Sequence, residues 1–400
     1  MPMEPPPLSG YLDCCATTPL APEVAQRMAA VQAEAWGNPS SLHGFGMAAA
    51  EQLERSRQEM AALLGCDPEQ LVFTSGGSES IHLALLGSAP LLEHRSPRGQ
   101  APRLLLSAVE HPASRAAAAA LAQRGWQVQE LPVDRLGAVD LEALERLLAP
   151  PTRLLSLIWG QSEVGTVQPV ERIAALCRSA GVRLHLDAVQ VLGHQPLNLA
   201  ALPADLISFA AHKLQGPRGV GALVVKPGVA LQPCIGGGGQ EGGLRSGTEP
   251  VALAAGFAAA LHVASARINA SGGHDPVAEL RDALLPQLLA LPGVELTGPD
   301  PRDPSHPGRL PHHLSLLVRN RSGAWLNGRQ LVQALWREGF ATSSGSACSS
   351  SGSAASAVLL AMGYEPAAAA AGLRISLGPW HGSGLLEELP AALERARSAL

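Results

Sequence analysis

ADLISFAAHKLQGPRGVGALVV, residues 204–225, decides how the rest of the chain is read. A short apolar strand at 206–209 delivers His212 and Lys213 to a turn, and a glycine-punctuated hairpin over 216–221 leads into a second apolar strand at 222–225. Only two of the 29 basic residues are lysines, Lys213 and Lys226; all the others are arginine. Arginine cannot stand in for an amine that must lose its proton and attack a carbonyl. Taken alone, Lys213 is a surface lysine after a strand. Its neighbours change that reading.

Working outward, strand patterns at 71–74, 104–108, 128–131, 154–158 and 182–186 join these two to make seven strands. Helical patterns fall between several of them, near 78–87, 112–124, 140–149 and 170–180. Ahead of them, Val24, Met28 and Val31 at i, i+4, i+7 mark one helix, and a second spans 47–64 and stops at Gly65. Such alternation predicts an α/β fold with a mostly parallel seven-stranded sheet covered on both faces. After Pro250 it breaks. An alanine-rich helix at 251–266, interrupted by Gly256 and His262, reads as a packed helix and not a membrane span. A helix at 276–291, a Pro/Asp/Gly surface loop at 298–311, a strand at 313–318 and a helix at 328–338 follow. A Ser/Gly/Ala run at 343–356 holds Cys348, and a strand at 373–377 precedes the last helix. The expected division is a large domain at 18–258 and a smaller α+β domain built from 1–17 and 259–400.

With 400 residues, 46% hydrophobic and 16% charged, the chain can bury a sizeable core. A net charge of −5 without a basic cluster suggests neither a nucleic-acid nor a membrane-surface partner. The start, MPMEPPPLSG, has neither the basic nor the apolar segment of a secretory leader. Six scattered cysteines form no CxxC pair, so reduced thiols in a cytoplasmic protein are expected and no metal site is suggested.

Open α/β sheets hold ligands at the carboxyl ends of their strands. The polar groups there are Ser75-Gly76-Gly77-Ser78-Glu79, Glu110-His111, Gln161-Ser162-Glu163, Asp187-Ala188-Val189-Gln190 and His212-Lys213. SGGSES offers free backbone N–H groups at a helix start, suited to a phosphate, though it is also an ordinary turn. Asp187 ends an apolar strand and needs a protonated ring nitrogen or an arginine; a cap or structural ion pair would also satisfy it. His111 precedes Pro112 and a helix, where a capping histidine is the plain alternative. Cys348 stands in Ser and Gly instead of an apolar segment, as a reactive thiol would, or an incidental one. A Schiff-base amine, an acid 26 residues upstream, a phosphate cradle and a histidine are together the parts that pyridoxal 5'-phosphate requires.

The sequence also resembles the cysteine desulfurases of the NifS/IscS-like group, class-V, fold-type I pyridoxal-phosphate enzymes. The matching segments are YLDCCATTP (11–19), GNPSS, VFTSGGSES, VEHPA, SEVGTVQP, HLDAVQ, HKLQGPRGVG, GGGGQEGGLRSGT, SSGSAC and LRISLG, in the family's order. The resemblance implies that Lys213 carries the cofactor as an imine and moves the Cα proton. It implies that Asp187 pairs with the pyridine nitrogen, Gln190 reaches the ring hydroxyl and His111 stacks on the ring. Gly77, Ser78 and His212 would hold the phosphate, with Thr248 contributed by the partner of a homodimer. Ser162 would lie beside cofactor and substrate, and Arg374 would bind the substrate carboxylate with Asn38 nearby. Cys348 would attack the sulfur of L-cysteine and pass a persulfide to an acceptor such as an iron–sulfur scaffold protein.

Four positions depart from the family's pattern: Ser162 replaces an asparagine, Ala210 a serine that contacts phosphate, Gly236 a histidine and Leu360 an arginine. Ser162 and Ala210 keep open a relative acting on selenocysteine or cysteine sulfinate. A cofactor-bound regulatory partner with little turnover is the non-enzymatic alternative; Lys213, His111, Cys348 and Arg374 together speak against it.

Overall fold

The computed structural model describes residues 7–93, 100–345 and 355–400. Two helices open the chain, α1 (Pro22–Glu34) and α2 (Gly44–Leu64). Proline at the first position starts α1, and Gly65, in the left-handed region at φ 68°, ends α2 where the sequence pattern stops. The alternating part follows as β1 (Leu71–Thr74), α3 (Gly77–Glu93), β2 (Arg103–Ser107), α4 (Pro112–Gln123), β3 (Gln127–Leu131), α5 (Leu141–Leu147), β4 (Thr152–Ile158), α6 (Val170–Ala180), β5 (Arg183–Asp187), β6 (Leu206–Ala210) and β7 (Gly221–Val225).

All seven strands lie in one sheet of order β1-β7-β6-β5-β4-β2-β3. The five from β3 to β6 run parallel, while β7 is antiparallel to both β6 and β1. Central strands β4, β5 and β6 are almost wholly buried, as continuous apolar runs between two helical layers should be. The next helix, α7 (Val251–Ala270), is long and apolar enough to cross a membrane, yet it packs against α1 and α2. Its Ala254, Phe257, Leu261 and Ala264 belong to the same core as β5 and β6. The domain boundary expected after 258 therefore falls inside one continuous helix.

The remainder is α8 (Val277–Leu289), β8 (Val294–Leu296), β9 (His313–Val318), α9 (Gly328–Arg337), α10 (Ala357–Ala361), α11 (Pro366–Ala369), β10 (Gly372–Ser376) and α12 (Leu385–Ser398). β10, β9 and β8 form an antiparallel sheet over a second core, which Leu12 joins from the chain start.

The reading of 298–311 as a surface loop needs correction. Its tip is exposed, but Arg309 and Leu310 are buried. Arg309 donates to the carbonyls of Pro299 and Thr297, and the Leu310 amide donates to Gly165 O at 2.8 Å. His312 follows, wholly buried, its ring stacked on His194 at 3.7 Å between centroids. The segment thus ties the second core to the first, close behind the carboxyl edge of the large sheet.

Candidate active site

The five polar groups meet at that edge. β5 ends on Asp187, whose Oδ1 accepts the Val189 amide at 3.0 Å, its one hydrogen bond among the described residues. Burial pushes this carboxyl up from its ordinary value, while His111 and Lys213 nearby pull the other way. His111 is the cap of α4, as its plain reading had it: Nδ1 accepts the Ala113 amide at 3.1 Å. Because Nδ1 is used as an acceptor, the neutral ring carries its proton on Nε2. Burial pushes its pKa down and Asp187 opposes that shift.

β6 runs into a single tight turn, Ala211–Lys213, that presents the lysine. The Lys213 amine donates to Cys15 O at 2.6 Å and to Ala16 O at 2.8 Å. Gln190 Nε2 donates to the same Cys15 carbonyl at 2.9 Å, leaving Gln190 Oε1 buried and without a partner. Two residues on, Thr17 Oγ1 lies 3.2 Å from His212 Nδ1. His212 is pushed down to about 4 by burial and then by the charges of Lys213 and Arg218, so it offers hydrogen bonds and no charge at neutral pH. The YLDCCATTP segment thus threads directly beneath the reactive amine. It is fastened there by Ser376 Oγ, which accepts the Cys15 amide at 2.9 Å, and by His312 Nε2, 3.3 Å from the Cys15 sulfur.

At the first residue of α3, a Cβ on Gly77 would lie 2.8 Å from Val189 Cγ2 and 3.6 Å from Ala210 Cβ, so glycine lets this helix start sit close against the turn after β5 and the end of β6. Gly221 backs onto Gly76 in the same way: a Cβ there would lie 2.6 Å from the Gly76 carbonyl carbon. The helix N-terminus leaves the amides around Gly77 and Ser78 pointing at the edge. Glu79 fixes this turn: Oε2 accepts the Ser75 amide at 2.6 Å and Oε1 accepts Arg245 Nε at 3.0 Å. Arg245 belongs to the glycine-rich loop of residues 236–248. A second clamp holds that loop, since Glu241 takes Arg57 as a fork at 2.8 and 2.8 Å and the Phe73 amide at 2.7 Å.

Arg374, on β10, closes the other side. Nη2 donates to Asp13 Oδ1 at 2.7 Å and Nη1 to Ser162 O at 3.1 Å. Burial works against its charge, but Cys15, Asp13 and Glu163 nearby hold its pKa above the ordinary arginine value. Ser162 contributes its carbonyl, which also meets His313 Nε2 at 3.2 Å. Beside it, Gln161 Nε2 donates to Val109 O at 3.1 Å, tying this turn to the one carrying His111.

The geometry therefore brings together Lys213, Asp187, His111, Gln190, His212, Gly77 and Ser78, with Arg374 and Ser162 reaching them through residues 13–15. Asn38 and Thr248 are exposed and share no side-chain hydrogen bond with them among the described residues, where Asn38 Oδ1 accepts the Ser40 amide of its own loop at 2.9 Å. Cys348 lies outside the described residues. Asp13, Cys15 and the buried carboxyls of Glu110 and Glu163 had no assigned role in the sequence reading. Asp13 and Cys15 stand in a segment singled out there, but a backbone carbonyl that receives an amine leaves no signature in residue types.

Chemically, a buried carboxylate without a cation bonded to it suits a protonated ring nitrogen. The unpartnered Gln190 Oε1 suits a ring hydroxyl, and the α3 start suits a phosphate.

The family model "Aminotransferase class-V" matches residues 10–382. Cysteine desulfurase IscS of Dictyoglomus turgidum is 36% identical over 369 residues, covering 92% of this chain and 89% of that protein. The cysteine desulfurase of Homo sapiens is 36% identical over 372 residues, covering 92% of this chain and 77% of its own. Among solved structures, a NifS-like protein superposes with a TM-score of 0.85 at 32% identity, covering 97% of this chain and 98% of that one. SspA in complex with cysteine gives a TM-score of 0.79 at 27% identity, covering 93% of this chain and 100% of that one.

Proposed function

The chain belongs to the class-V aminotransferase family, within its cysteine desulfurases, and on that premise we propose how its own residues carry the activity with pyridoxal 5'-phosphate. The reaction converts L-cysteine and an acceptor thiol into L-alanine and a persulfide. The observation that carries this reading is the convergence of Lys213, Asp187 and the α3 start on one edge, with the amine resting on two carbonyls.

Asp187, Gln190, His212, Gly77 and Ser78 would hold the cofactor, and Lys213 is its attachment amine. When bound, the cofactor supplies an electron sink for carbanion charge at the substrate Cα. Arg374 takes the substrate carboxylate through its remaining Nη protons, since its Nε is fully enclosed. Lys213 has two carbonyls, Cys15 O and Ala16 O, to dock on, and would move the Cα proton from there. His111 Nε2 holds a proton it can give or take. The Cys348 thiolate attacks the substrate sulfur: an S–S bond forms as the C–S bond breaks, and the carbon fragment keeps the electron pair and is protonated to alanine. The persulfide on Cys348 then passes to an acceptor thiol, and an iron–sulfur scaffold protein is the partner the family resemblance favours.

A homodimer completes the assignment. Thr248 and Asn38, exposed here, would face the partner's site, and the exposed Trp36, Leu42, Phe45 and Met47 beside Asn38 supply an apolar surface for contact. The test is to add L-cysteine and a thiol reductant to the yellow protein and assay alanine and sulfide. Equal amounts of the two support the reading; cysteine binding without either product defeats it.

A further inference from the structure

Glu110 immediately precedes His111, yet its carboxyl does not turn toward the imidazole. It folds back under the sheet edge, 3% exposed, where Oε1 accepts Ser107 Oγ at 2.7 Å and the Ile158 amide at 2.5 Å. Oε2 is also buried and has no hydrogen-bond partner, and the buried Ser114 Oγ in the first turn of α4, which acts on this carboxyl, has none either. Among the described residues Glu110 has no cation to pair with. The charged group facing it is the second carboxyl, Asp187, across β4 on β5, and Arg115 is spent on Ala108 O and Glu130. A buried carboxyl that feels a second buried carboxyl and has no cation of its own retains its proton. Asp187 has His111 and Lys213 nearby to favour its anion; Glu110 has only neutral donors.

We infer that Glu110 is a neutral carboxylic acid in the working protein and is the positioning residue that sets His111 against Asp187. Its carbonyl oxygen Oε1 pins the turn after β2 to the end of β4. A proton on Oε2 would give the two unpartnered buried oxygens, Glu110 Oε2 and Ser114 Oγ, a hydrogen bond to share, and so pin the first turn of α4. The histidine lies between these two anchors, with Nδ1 committed to the α4 cap, so Nε2 is presented at a fixed place. Retaining the proton on Glu110 also leaves Asp187 as the one anion available to a protonated ring nitrogen. Burial first, then Asp187, holds the Glu110 carboxyl up at about 8 against its hydrogen bonds, in keeping with this assignment.

The inference rests on the desulfurase reading where it concerns His111, and one measurement is independent of that reading. In the cofactor-free protein, infrared difference spectra between neutral and alkaline pH should show a protonated-acid carbonyl band that is absent in Glu110→Gln. No such band in the wild type overturns the neutral acid, whatever the enzyme does. In the holoenzyme, Glu110→Gln reproduces both anchors and should keep wild-type turnover. Glu110→Ala should lower kcat about 10²-fold, the effect of a misplaced catalytic group, with KM for L-cysteine little changed. If Glu110→Ala does not fold, Ser114→Ala removes one anchor alone and should lower kcat in the same direction. A glutamine variant as impaired as the alanine variant overturns the inference, because the ionised form would then be required. A wild type that yields no alanine and sulfide defeats the desulfurase reading and leaves the infrared band to judge Glu110.

Discussion

Arg374 and Asp13 form an ion pair 2.7 Å long, closed off on the arginine side, whose side chain is 6% exposed, and open on the aspartate side at 22%. Two effects compete if the carboxylate is removed. Asp13 helps to aim the guanidinium, but it also neutralises charge that a substrate carboxylate would use. The aim survives, because Ser162 O holds Nη1 and the surrounding protein encloses Nε. The released charge therefore wins.

Asp13→Asn should lower the stability of the ligand-free protein by about 3 kcal/mol, the lower range for breaking a buried pair. It should also lower KM for L-cysteine, and part of the lost stability should return on adding L-alanine, which supplies a carboxylate without reacting. Thermal unfolding with and without L-alanine, beside steady-state kinetics, reads both. A KM that rises instead would make Asp13 an orienting group first.

Ala210 concerns cofactor retention. Its Cβ lies against the Gly77 start of α3, where a hydroxyl would reach the proposed phosphate position. A hydrogen bond to a charged group contributes about 1.5–3 kcal/mol. Ala210→Ser should thus lower the dissociation constant for pyridoxal phosphate about tenfold. The added hydroxyl is buried without a partner when the cofactor is absent, so the apo-protein should lose stability while the holoprotein gains. Spectral titration of the apo-protein decides it; an unchanged constant would place the phosphate away from residue 210.

Six strands of the large sheet were legible as short, largely apolar runs ending in a polar turn, β3 (QVQEL) by its place in the strand–helix alternation, and Lys213 because lysine is so scarce in this chain. β8 was not, since three residues with Glu295 exposed in the middle carry no pattern. Nor was the docking of 298–311. Its Pro, Asp and Gly content describes the exposed tip, whereas the burial of Arg309 depends on carbonyls of Thr297 and Pro299 that only the fold brings round. The same holds in the site. Asp187 could be placed from the strand before it, but the support under Lys213 is a main-chain carbonyl 198 residues away. Glu110 was visible as a polar residue at a strand end; its charge state depends on what surrounds it.

His185 makes the protein sensitive to acid. It lies wholly buried in β5, Nδ1 2.9 Å from Ser156 Oγ and Nε2 2.9 Å from Ser208 Oγ, and burial takes its pKa down to about 3. Between that value and the ordinary 6.5, the unfolded chain binds a proton that the native ring does not. Stability therefore rises with pH through this window and is lost as pH falls through it. The loss from this one residue is about 2 kcal/mol between about pH 6.5 and pH 5. His312 and His313, pushed well down chiefly by burial, add to the same slope. Urea unfolding at the two pH values should show a shallower pH dependence in His185→Gln than in the wild type. Equal slopes would show that the native ring is protonated in this range.

The loop that carries Asn38 gives the clearest test of assembly. Leu42 is 95% exposed, and Trp36 and Phe45 pair at 5.1 Å between centroids, tilted by 31°, with both residues and Met47 largely in solvent. Paired aromatics contribute most when water is excluded from them, and so large an apolar cluster on one short stretch is expected to be covered. A second copy is the occupant that would also give the exposed Thr248 a site to face. In sedimentation, the wild type should therefore run at twice the chain mass. Leu42→Asp with Phe45→Asp should run as a monomer that binds pyridoxal phosphate more weakly, because the partner's contribution to the phosphate is lost. A wild type that is monomeric at micromolar concentration and fully active would remove the partner from the site and leave Thr248 without a role there.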